Sequence, residues 1–289
     1  MIKIFTDTDT DITLSEANEL NLGFISMPYI VEGNPIYPFV DYKEYDYKTF
    51  YNLLRKGVIP TTCALSIEEY KKYFEPVFAN GDDILYIHFS SAMTATFDYM
   101  DKALEELLEK YPERKFYKLD TMAITIGSNI MVKEFVKKFH EMNDVEAFLK
   151  FAKDEVNHYA TYFYADDLKF FQRSGRVSGI AATMGSLLGI KPIIHIDSDG
   201  KMKNVSKEKG RKKALAHLIN KVEEIGQHVK NHKIIIGHTD AIELAYELEG
   251  LLKEKLGDDL DIDFVIVNPT CGSHCGPNAV GISFYSKCR

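Results

Sequence analysis

The chain has 289 residues, a length that favours two ordinary domains, and its hydrophobic fraction of 45% is enough to form a sizeable core. The net charge of −8 argues against a nucleic acid as the main partner. No stretch approaches the roughly 20 apolar residues of a membrane-spanning helix, and the N-terminus lacks the pattern of a secretory signal. With four cysteines in no disulfide-framework spacing, these features predict a cytoplasmic protein with reduced thiols.

Short apolar runs and longer amphipathic runs alternate along the first half of the chain. Strands are predicted at 2–5, 24–31, 83–89 and 114–120, and helices at 14–22, 47–57, 66–81, 96–111 and 128–142. This alternation indicates a Rossmann-like parallel sheet with helices on its faces. Ligands of such sheets lie at the carboxyl ends of strands, so the loops after 2–5 and 83–89 are candidate sites.

The pattern changes near Val145 and becomes that of an α+β domain with a mixed sheet. Helices are predicted at 145–159, from about Lys207 and at 241–257, among short apolar runs at 160–166, 190–197, 202–206, 233–238, 262–268 and 279–285. The tight turn 198–201 predicts a hairpin. We therefore predict an α/β fold of two domains, residues 1–155 and 156–289, with a boundary between Asn143 and Tyr159.

The most unusual segment is NPTCGSHCGPNAVG, residues 268–281, which places Cys271, His274 and Cys275 within five positions. A zinc site needs about four nitrogen or sulfur ligands, usually in two separated pairs, and only one cluster is present. A thiol nucleophile needs a base within about 3 Å, and adjacent His274 and Cys275 point apart on an extended backbone. The favoured interpretation is a Gly/Pro loop between two strands that approaches a ligand, with His274 as a hydrogen-bond donor; a purely structural turn is the other alternative.

The segment TDTDTD places Asp7, Asp9 and Asp11 at alternate positions, like the start of a calcium-binding loop. The sixth position of such a loop is glycine and the twelfth is glutamate, but Ile12 and Asn18 stand there. We therefore expect a solvated strand end whose side chains cap the following turn.

Two clusters of hydroxyl-bearing residues each lead into a predicted helix: Thr61 and Thr62, followed by Cys63, and the group Ser90, Ser91, Thr94 and Thr96. Such residues commonly cap helices. A helix N-terminus also offers free N–H groups and partial positive charge, which suit a ligand carboxylate. The two clusters together are therefore a candidate anion site.

Basic residues stand out in two places. Arg173 and Arg176 flank Gly175, where a surface turn and a cation near an anionic ligand are both open interpretations. Residues 207–213 hold five basic side chains, which fit a solvated helix face or a docking patch for an acidic protein. No Walker loop, dinucleotide fingerprint, HExxH or GxSxG motif occurs, so no familiar cofactor site is expected.

Seven stretches in chain order form a more specific signal than any single cluster: TDTDTDI, TTCALSIEEY, IHFSSAMTATF, KLDT, LKFFQRSGRVS, IKPII and TCGSHCGPNAVGI. This series spans nearly the whole chain and resembles the DegV family. Members of that family bind long-chain fatty acids, and some serve as the fatty-acid-binding subunit of a bacterial fatty acid kinase. The resemblance implies a DegV-like fold with a ligand tunnel between its two domains.

In that family, hydroxyls and a histidine from separate loops hold the acyl carboxylate. Carried over by matching stretches, the resemblance implies that the carboxylate site contains Thr62, Cys63, Thr94, Thr96, Arg176 and His274. The segment 268–281 would then form one wall of this site, and its cysteines would be incidental.

The chain also departs from the family pattern. Ala64 and Leu65 replace a Gln-Pro pair, Ala95 replaces a glycine between the hydroxyls, Ser174 replaces the first glycine before Arg176, and Cys275 and Asn278 stand where Thr and Gly are usual. Thr94 keeps the hydroxyl of the usual serine. The departures therefore bear on acyl-chain preference and kinase coupling more than on ligand binding.

The favoured hypothesis is a carrier that is not itself an enzyme. It would hold a long-chain fatty acid, its only expected ligand, and present the carboxylate to a kinase partner for phosphorylation to an acyl phosphate. No other cofactor, no metal, no nucleic acid and at most transient membrane contact are expected. The alternatives are a thiol- or zinc-dependent hydrolase built on Cys271, His274 and Cys275, and a regulatory module whose lipid is only structural.

Overall fold

Three sheets and the helices that cover them make up residues 1–178 and 189–289, the part of the chain that the computed structural model describes. The strands are β1 (Ile2–Asp7), β2 (Gly23–Ile25), β3 (Tyr29–Val31), β4 (Asn34–Ile36), β5 (Thr61–Thr62), β6 (Asp83–His88), β7 (Phe116–Asp120), β8 (Tyr159–Tyr164), β9 (Val177–Ser178), β10 (Ile190–Ile196), β11 (Met202–Lys209), β12 (Ile234–His238), β13 (Ile262–Ile266) and β14 (Val280–Tyr285). The helices are α1 (Leu14–Glu19), α2 (Tyr47–Arg55), α3 (Ile67–Ala79), α4 (Thr96–Lys110), α5 (Ile126–Met142), α6 (Val145–Glu155), α7 (Lys169–Ser174), α8 (Arg211–Ile225), α9 (Ile242–Leu256) and α10 (Pro269–Cys275).

The first sheet is parallel and has the strand order β2-β1-β6-β7. Its strands are apolar because both faces are covered: α3 and α4 contribute to the core on one face, and α5 and α6 to the core on the other. Helix α3 starts behind a capping box in which Ser66 and Glu69 satisfy each other's backbone N–H groups. This sheet confirms the predicted Rossmann-like architecture.

The second sheet is mixed, with the order β13-β12-β14-β8-β10-β11-β9. The pairs β12–β13 and β9–β11 are parallel, and the other pairs are antiparallel. Helices α8 and α9 cover one face, while α5 contacts strands β8, β12 and β14 on the other. Because α5 also packs against the first sheet, it lies between the two sheets. The predicted α/β class with a mixed second sheet is confirmed.

The division at residue 155 stays a prediction. The strands of the two sheets do separate there, at 2–120 and 159–285. Arg289, however, connects the two sequence ranges. Its guanidinium donates hydrogen bonds to the backbone carbonyls of Thr121 and Met122 in 1–155 and of Val156 and Tyr159 in 156–289.

The segment 268–281 contains a helix where a loop was expected. Asn268 caps α10 by accepting a hydrogen bond from the N–H of Cys271, and Pro269 occupies the first turn. Proline suits this position because its missing N–H would have no partner there. The expected loop is therefore wrong for residues 269–275, and His274 lies on the last turn of a helix.

Three further predictions need correction. The run 24–31 is not one strand: Pro28 separates β2 in the parallel sheet from β3 in the three-stranded sheet β4-β3-β5. The basic helix does not begin near Lys207, because β11 continues to Lys209 in pairing with β10, and α8 starts at Arg211.

The third correction concerns the aspartates of TDTDTD, which are not solvated. Asp7, Asp9 and Asp11 are 0%, 4% and 5% exposed, because this segment is covered by β6 and by the start of α10. The capping expected of them is confirmed for Asp7, whose side chain accepts the N–H of Asp9 at 2.9 Å.

Candidate functional site

Two adjoining cavities lie where the first sheet, the three-stranded sheet and the mixed sheet meet. The polar cavity has a volume of about 170 Å³ and the apolar cavity about 50 Å³. Ile124, Met202, Cys271 and His274 line both, so the two cavities share a wall.

All six predicted site residues line the polar cavity: Thr62, Cys63, Thr94, Thr96, Arg176 and His274. They come from β5, from the turn before α4, from the segment before β9 and from α10. Only tertiary structure brings these segments together. Their role in holding a carboxylate stays a prediction.

Thr62 and His274 are in direct contact, with 3.3 Å between Thr62 Oγ1 and His274 Nε2. Thr62 is placed by β5, where it pairs with Tyr29 of β3, and α10 packs against both strands. Burial, with the nearby Arg176 guanidinium as a smaller cause, lowers the pKa of His274 to about 4. The imidazole is therefore neutral at pH 7. In the tautomer with a proton on Nε2 it donates to Thr62, which leaves the threonine hydroxyl proton free for a ligand.

Thr94 and Thr96 follow β6 and differ in how their hydroxyls are used. Thr94 Oγ1 accepts the N–H of Thr96 at 3.1 Å, so its own proton is available. Thr96 Oγ1 accepts the N–H of Leu65 at 3.1 Å and lies 2.9 Å from the Tyr70 hydroxyl. Thr96 therefore ties the segment after Thr62 to α4, and Thr94 has the freer donor.

Three residues that line the polar cavity are exposed: Arg176, Cys63 and Ala95. The Arg176 Nε donates to the carbonyl of Met93 at 3.3 Å and Nη1 to that of Ser174 at 2.5 Å. Among residues 1–178 and 189–289, no carboxylate forms an ion pair with Arg176. Its charge is therefore available to an anion at the cavity edge.

The apolar cavity has walls of branched and aromatic side chains. They include Ile126, Phe163, Ile196, Val267, Ala279 and Val280. Gly237 and Gly281 also line it. A Cβ on Gly237 would lie 2.4 Å from Ile126 Cγ2 of α5, and one on Gly281 would lie 2.6 Å from Phe163 Cβ on the paired strand β8. These walls suit an apolar chain without polar groups.

The departure from the family pattern at Asn278 has a structural explanation. Asn278 has φ of +63°, in the left-handed region where glycine is favoured and asparagine is tolerated. Its Oδ1 also accepts a hydrogen bond from Arg55 at 3.2 Å. Asparagine can therefore adopt the same backbone conformation at position 278 as the glycine that is usual in the family.

The thiols near His274 are unsuited to nucleophilic chemistry. Burial raises the pKa of Cys275 to about 12, and burial with the charges of Asp9 and Asp11 raises the pKa of Cys271 well above its usual range. Both thiols are therefore protonated at pH 7 and poorly nucleophilic. Within the described residues, no group of three His, Cys, Asp or Glu side chains is arranged to hold a metal ion. The hydrolase alternative has no support in this geometry.

The cavity residues that sequence reasoning missed include Asp9, Ile124, Met202 and Thr270. Ile124 and Met202 carry no local signal, because isolated apolar residues in turns and strands are usually core. The position of Asp9 could have been recognised, since Asp9 lies in the loop after the first strand, and that loop was a candidate ligand site.

Comparison with known proteins agrees with this architecture. The sequence model of the family described as "Uncharacterised protein, DegV family" matches residues 1–287, and the chain belongs to the DegV family. A DegV domain-containing protein of Clostridium perfringens is 32% identical over 282 residues, which cover 97% of this chain and 96% of that protein.

Solved structures share the fold. The stearic acid-binding protein of Eubacterium ventriosum superposes with a TM-score of 0.87 at 18% identity, over 99% of both chains. A DegV family protein of Thermus thermophilus, described for its fatty acid binding, superposes with a TM-score of 0.84 at 21% identity, also over 99% of both chains. In the described parts of this chain, no helix combines the length and apolarity needed to cross a bilayer.

Proposed function

We propose that this protein binds a long-chain fatty acid, with the carboxylate in the polar cavity and the tail in the apolar cavity. One observation carries the proposal: a cavity with several hydrogen-bond donors adjoins a cavity with apolar walls. The fatty acids bound by the Eubacterium ventriosum and Thermus thermophilus proteins, which share the fold, support the same ligand class here.

The proposed carboxylate partners are the hydroxyls of Thr62 and Thr94, the imidazole of His274 and the guanidinium of Arg176, with Cys63 and Thr96 completing the wall. A buried carboxylate without hydrogen bonds would be strongly unfavourable. Because His274 is neutral and Arg176 lies at the exposed edge, the head group is held by hydrogen bonds more than by a buried ion pair.

The tail would supply most of the affinity. Each buried methylene contributes about 0.8 kcal/mol, so a chain of about 15 methylenes gains roughly 12 kcal/mol before ordering and association entropy are subtracted. The tunnel would run between the proposed domains 1–155 and 156–289, because its walls come from both sequence ranges.

We further propose that the protein acts as a cytoplasmic carrier that presents the carboxylate to a separate ATP-using kinase, which forms an acyl phosphate. The absence of a Walker loop and dinucleotide fingerprint from the sequence supports a separate kinase. The exposed Arg176 and Cys63 at the polar cavity support access to the head group from outside.

Organic extraction and mass spectrometry of the purified protein test the ligand. We expect a fatty acid in about equimolar amount, and delipidated protein should bind oleate more tightly than octanoate, since the longer tail buries more methylenes. Protein that carries no lipid and binds neither acid would refute the proposal.

The kinase step needs its own test. Protein loaded with labelled oleate is mixed with ATP and an extract of its source cells, and hydroxylamine traps any acyl phosphate as a hydroxamate. We expect the hydroxamate only when both loaded protein and extract are present. Lipid binding without hydroxamate would favour the regulatory module.

A further inference from the structure

Asp9 is a buried acid inside the polar cavity, and the proposed carboxylate partners do not include it. It lies in the 3-10 turn Thr8–Thr10 that follows β1, and only 4% of it is exposed. Its backbone is fixed at both ends: the N–H donates to Asp7 Oδ1 at 2.9 Å, and the C=O accepts the N–H of Thr125 at 2.7 Å. Its side-chain Oδ1 has no hydrogen-bond partner among the described residues.

An unpartnered carboxyl oxygen buried beside a ligand cavity calls for an explanation, since nearly all buried polar groups in proteins have a hydrogen-bond partner. The neighbouring acids are already satisfied on at least one oxygen. Asp7 accepts from the Tyr86 hydroxyl and the N–H of Phe89, and Asp11 accepts from the backbone and side chain of Asn268. Asp9 alone combines a free oxygen with a place in the polar cavity.

The charge environment favours the neutral form of Asp9. The titratable and charged groups around it are Asp7 and Asp11 on its own segment, Tyr70 of α3, Tyr86 of β6, Cys271 and His274 of α10, and Arg176 across the cavity. No Lys, Arg or His in the described ranges forms an ion pair with it. Burial first, and then the charges of Asp7 and Asp11, raise the pKa of Asp9 well above its usual range, while Thr270 and Cys271 oppose this in part.

We propose that Asp9 and the carboxyl group of the bound fatty acid share one proton, so that an acid–carboxylate hydrogen bond holds the head group. The inference rests on the proposed fatty-acid binding. Two ionised carboxylates in one cavity would repel each other, whereas one proton between them forms a short charge-assisted hydrogen bond. The donor on Asp9 then uses the oxygen that has no partner in the protein.

The proton balance follows directly. Where Asp9 is already protonated, the fatty acid anion binds without proton exchange, and affinity does not depend on pH. Above the pKa of Asp9 in the free protein, binding must take up one proton, so affinity falls about tenfold per pH unit. The site therefore selects an acid that can accept a hydrogen bond from a neutral carboxyl.

Titration calorimetry of oleate with delipidated protein between pH 6 and pH 9.5 tests the inference. We expect a flat affinity at the acid end, a loss that approaches tenfold per pH unit at the alkaline end, and uptake of up to one proton there. Proton uptake is obtained by comparing two buffers of different ionisation enthalpy. This measurement on the unaltered protein stands even if a variant fails to fold.

Asp9→Asn removes the titration but keeps a donor of the same shape. We expect its affinity at pH 6 to stay within about threefold of the parent, with no loss at pH 9.5 and no proton uptake. Asp9→Leu, which lacks a donor, should bind more weakly than Asp9→Asn at pH 6. Asp98→Asn is the matched control, because Asp98 lines a different cavity and is not among the charges that shift the pKa of Asp9, so it should keep the parental pH dependence.

Parallel pH profiles and equal proton uptake for the parent and Asp9→Asn would overturn the inference while leaving fatty-acid binding intact. The inference would also be overturned if Asp9→Asn bound oleate more tightly than the parent by the same factor at every pH, since Asp9 would then be an ionised group that repels the ligand. Failure of the parent to bind oleate at any pH would overturn both proposals.

Discussion

Thr62 Oγ1 lies 3.3 Å from His274 Nε2, although the two residues are 212 positions apart in the chain. The contact joins the three-stranded sheet to the helix that follows β13. In the tautomer with the proton on Nε2, the neutral imidazole donates to Oγ1 and leaves the hydroxyl proton free for a ligand in the polar cavity.

Thr62→Val should weaken oleate binding by about tenfold to a hundredfold, because a hydrogen bond to a charged group contributes about 1.5–3 kcal/mol. Isothermal titration measures the effect. Thr61→Val is the matched control: the same substitution at the adjacent position, outside the cavities described. Equal losses in the two variants would contradict the role of Thr62.

Ile124→Trp should separate head-group binding from tail binding. Ile124 lines both cavities, so a larger ring at this position blocks their junction. We expect a large loss of oleate affinity and a small change for octanoate, each measured by titration on protein whose thermal unfolding is checked by circular dichroism. Ile124→Leu, with the same number of atoms, serves as the control. Proportional losses for both acids would argue against a continuous tunnel.

Alkylation should distinguish the four free cysteines. Cys63 and Cys288 are exposed, whereas Cys271 is buried and burial raises the pKa of Cys275 to about 12. Iodoacetamide should therefore label Cys63 and Cys288 in the native protein, and the other two only after unfolding. Bound oleate should slow labelling at Cys63, which lines the polar cavity, and not at Cys288. Peptide mapping by mass spectrometry gives the rates, and fast labelling of Cys275 would favour thiol chemistry.

Asp11→Asn should change how stability depends on pH. Burial raises the pKa of Asp11 to about 7, so in the native protein this carboxyl stays neutral until that pH, while in the unfolded chain it ionises near its usual value of 3.8. The free energy of unfolding therefore falls as pH rises from about 4 to about 7, by up to roughly 1.4 kcal/mol per unit for this group.

In Asp11→Asn this contribution is absent. Asparagine keeps the acceptor used by Asn268 and tolerates the φ of +55° at this position. Relative to the parent, the variant should gain about 2–4 kcal/mol between pH 4.5 and pH 8 in urea unfolding. Asp11→Ala, which loses the acceptor, should be destabilised at both values. The same difference at pH 4.5 and pH 8 for Asp11→Asn would contradict the titration.

Local patterns predicted the parallel sheet well, because apolar runs such as those of β1 and β6 are long, uninterrupted and followed by amphipathic helices. Local patterns gave wrong predictions where tertiary contacts bury residues whose polarity suggests exposure to solvent. TDTDTD is polar in every residue and still lies buried, and the carboxylates of Asp7 and Asp11 find partners in Tyr86, Phe89 and Asn268, which are far away in the chain.

The sequence analysis did not predict the helix α10, although the sequence contains a signal for its N-terminus. Asn268 followed by Pro269 is a favourable helix N-terminus, but the glycines that follow hid it. The six site residues were predicted through the ordered series of family stretches. Periodicity alone does not place Thr62 beside His274, because the distance between them depends on how three sheets pack.

The glycines at 237 and 281 have a consequence for tuning ligand length. Because a side chain at either position would collide with Ile126 or Phe163, this part of the wall is fixed backbone and cannot be reshaped gradually. In the proposed fatty-acid site, adaptation to shorter or branched acyl chains would therefore fall to other lining side chains, such as Ile196 and Met202. Relatives with other lipid preferences should vary at those places and keep the two glycines.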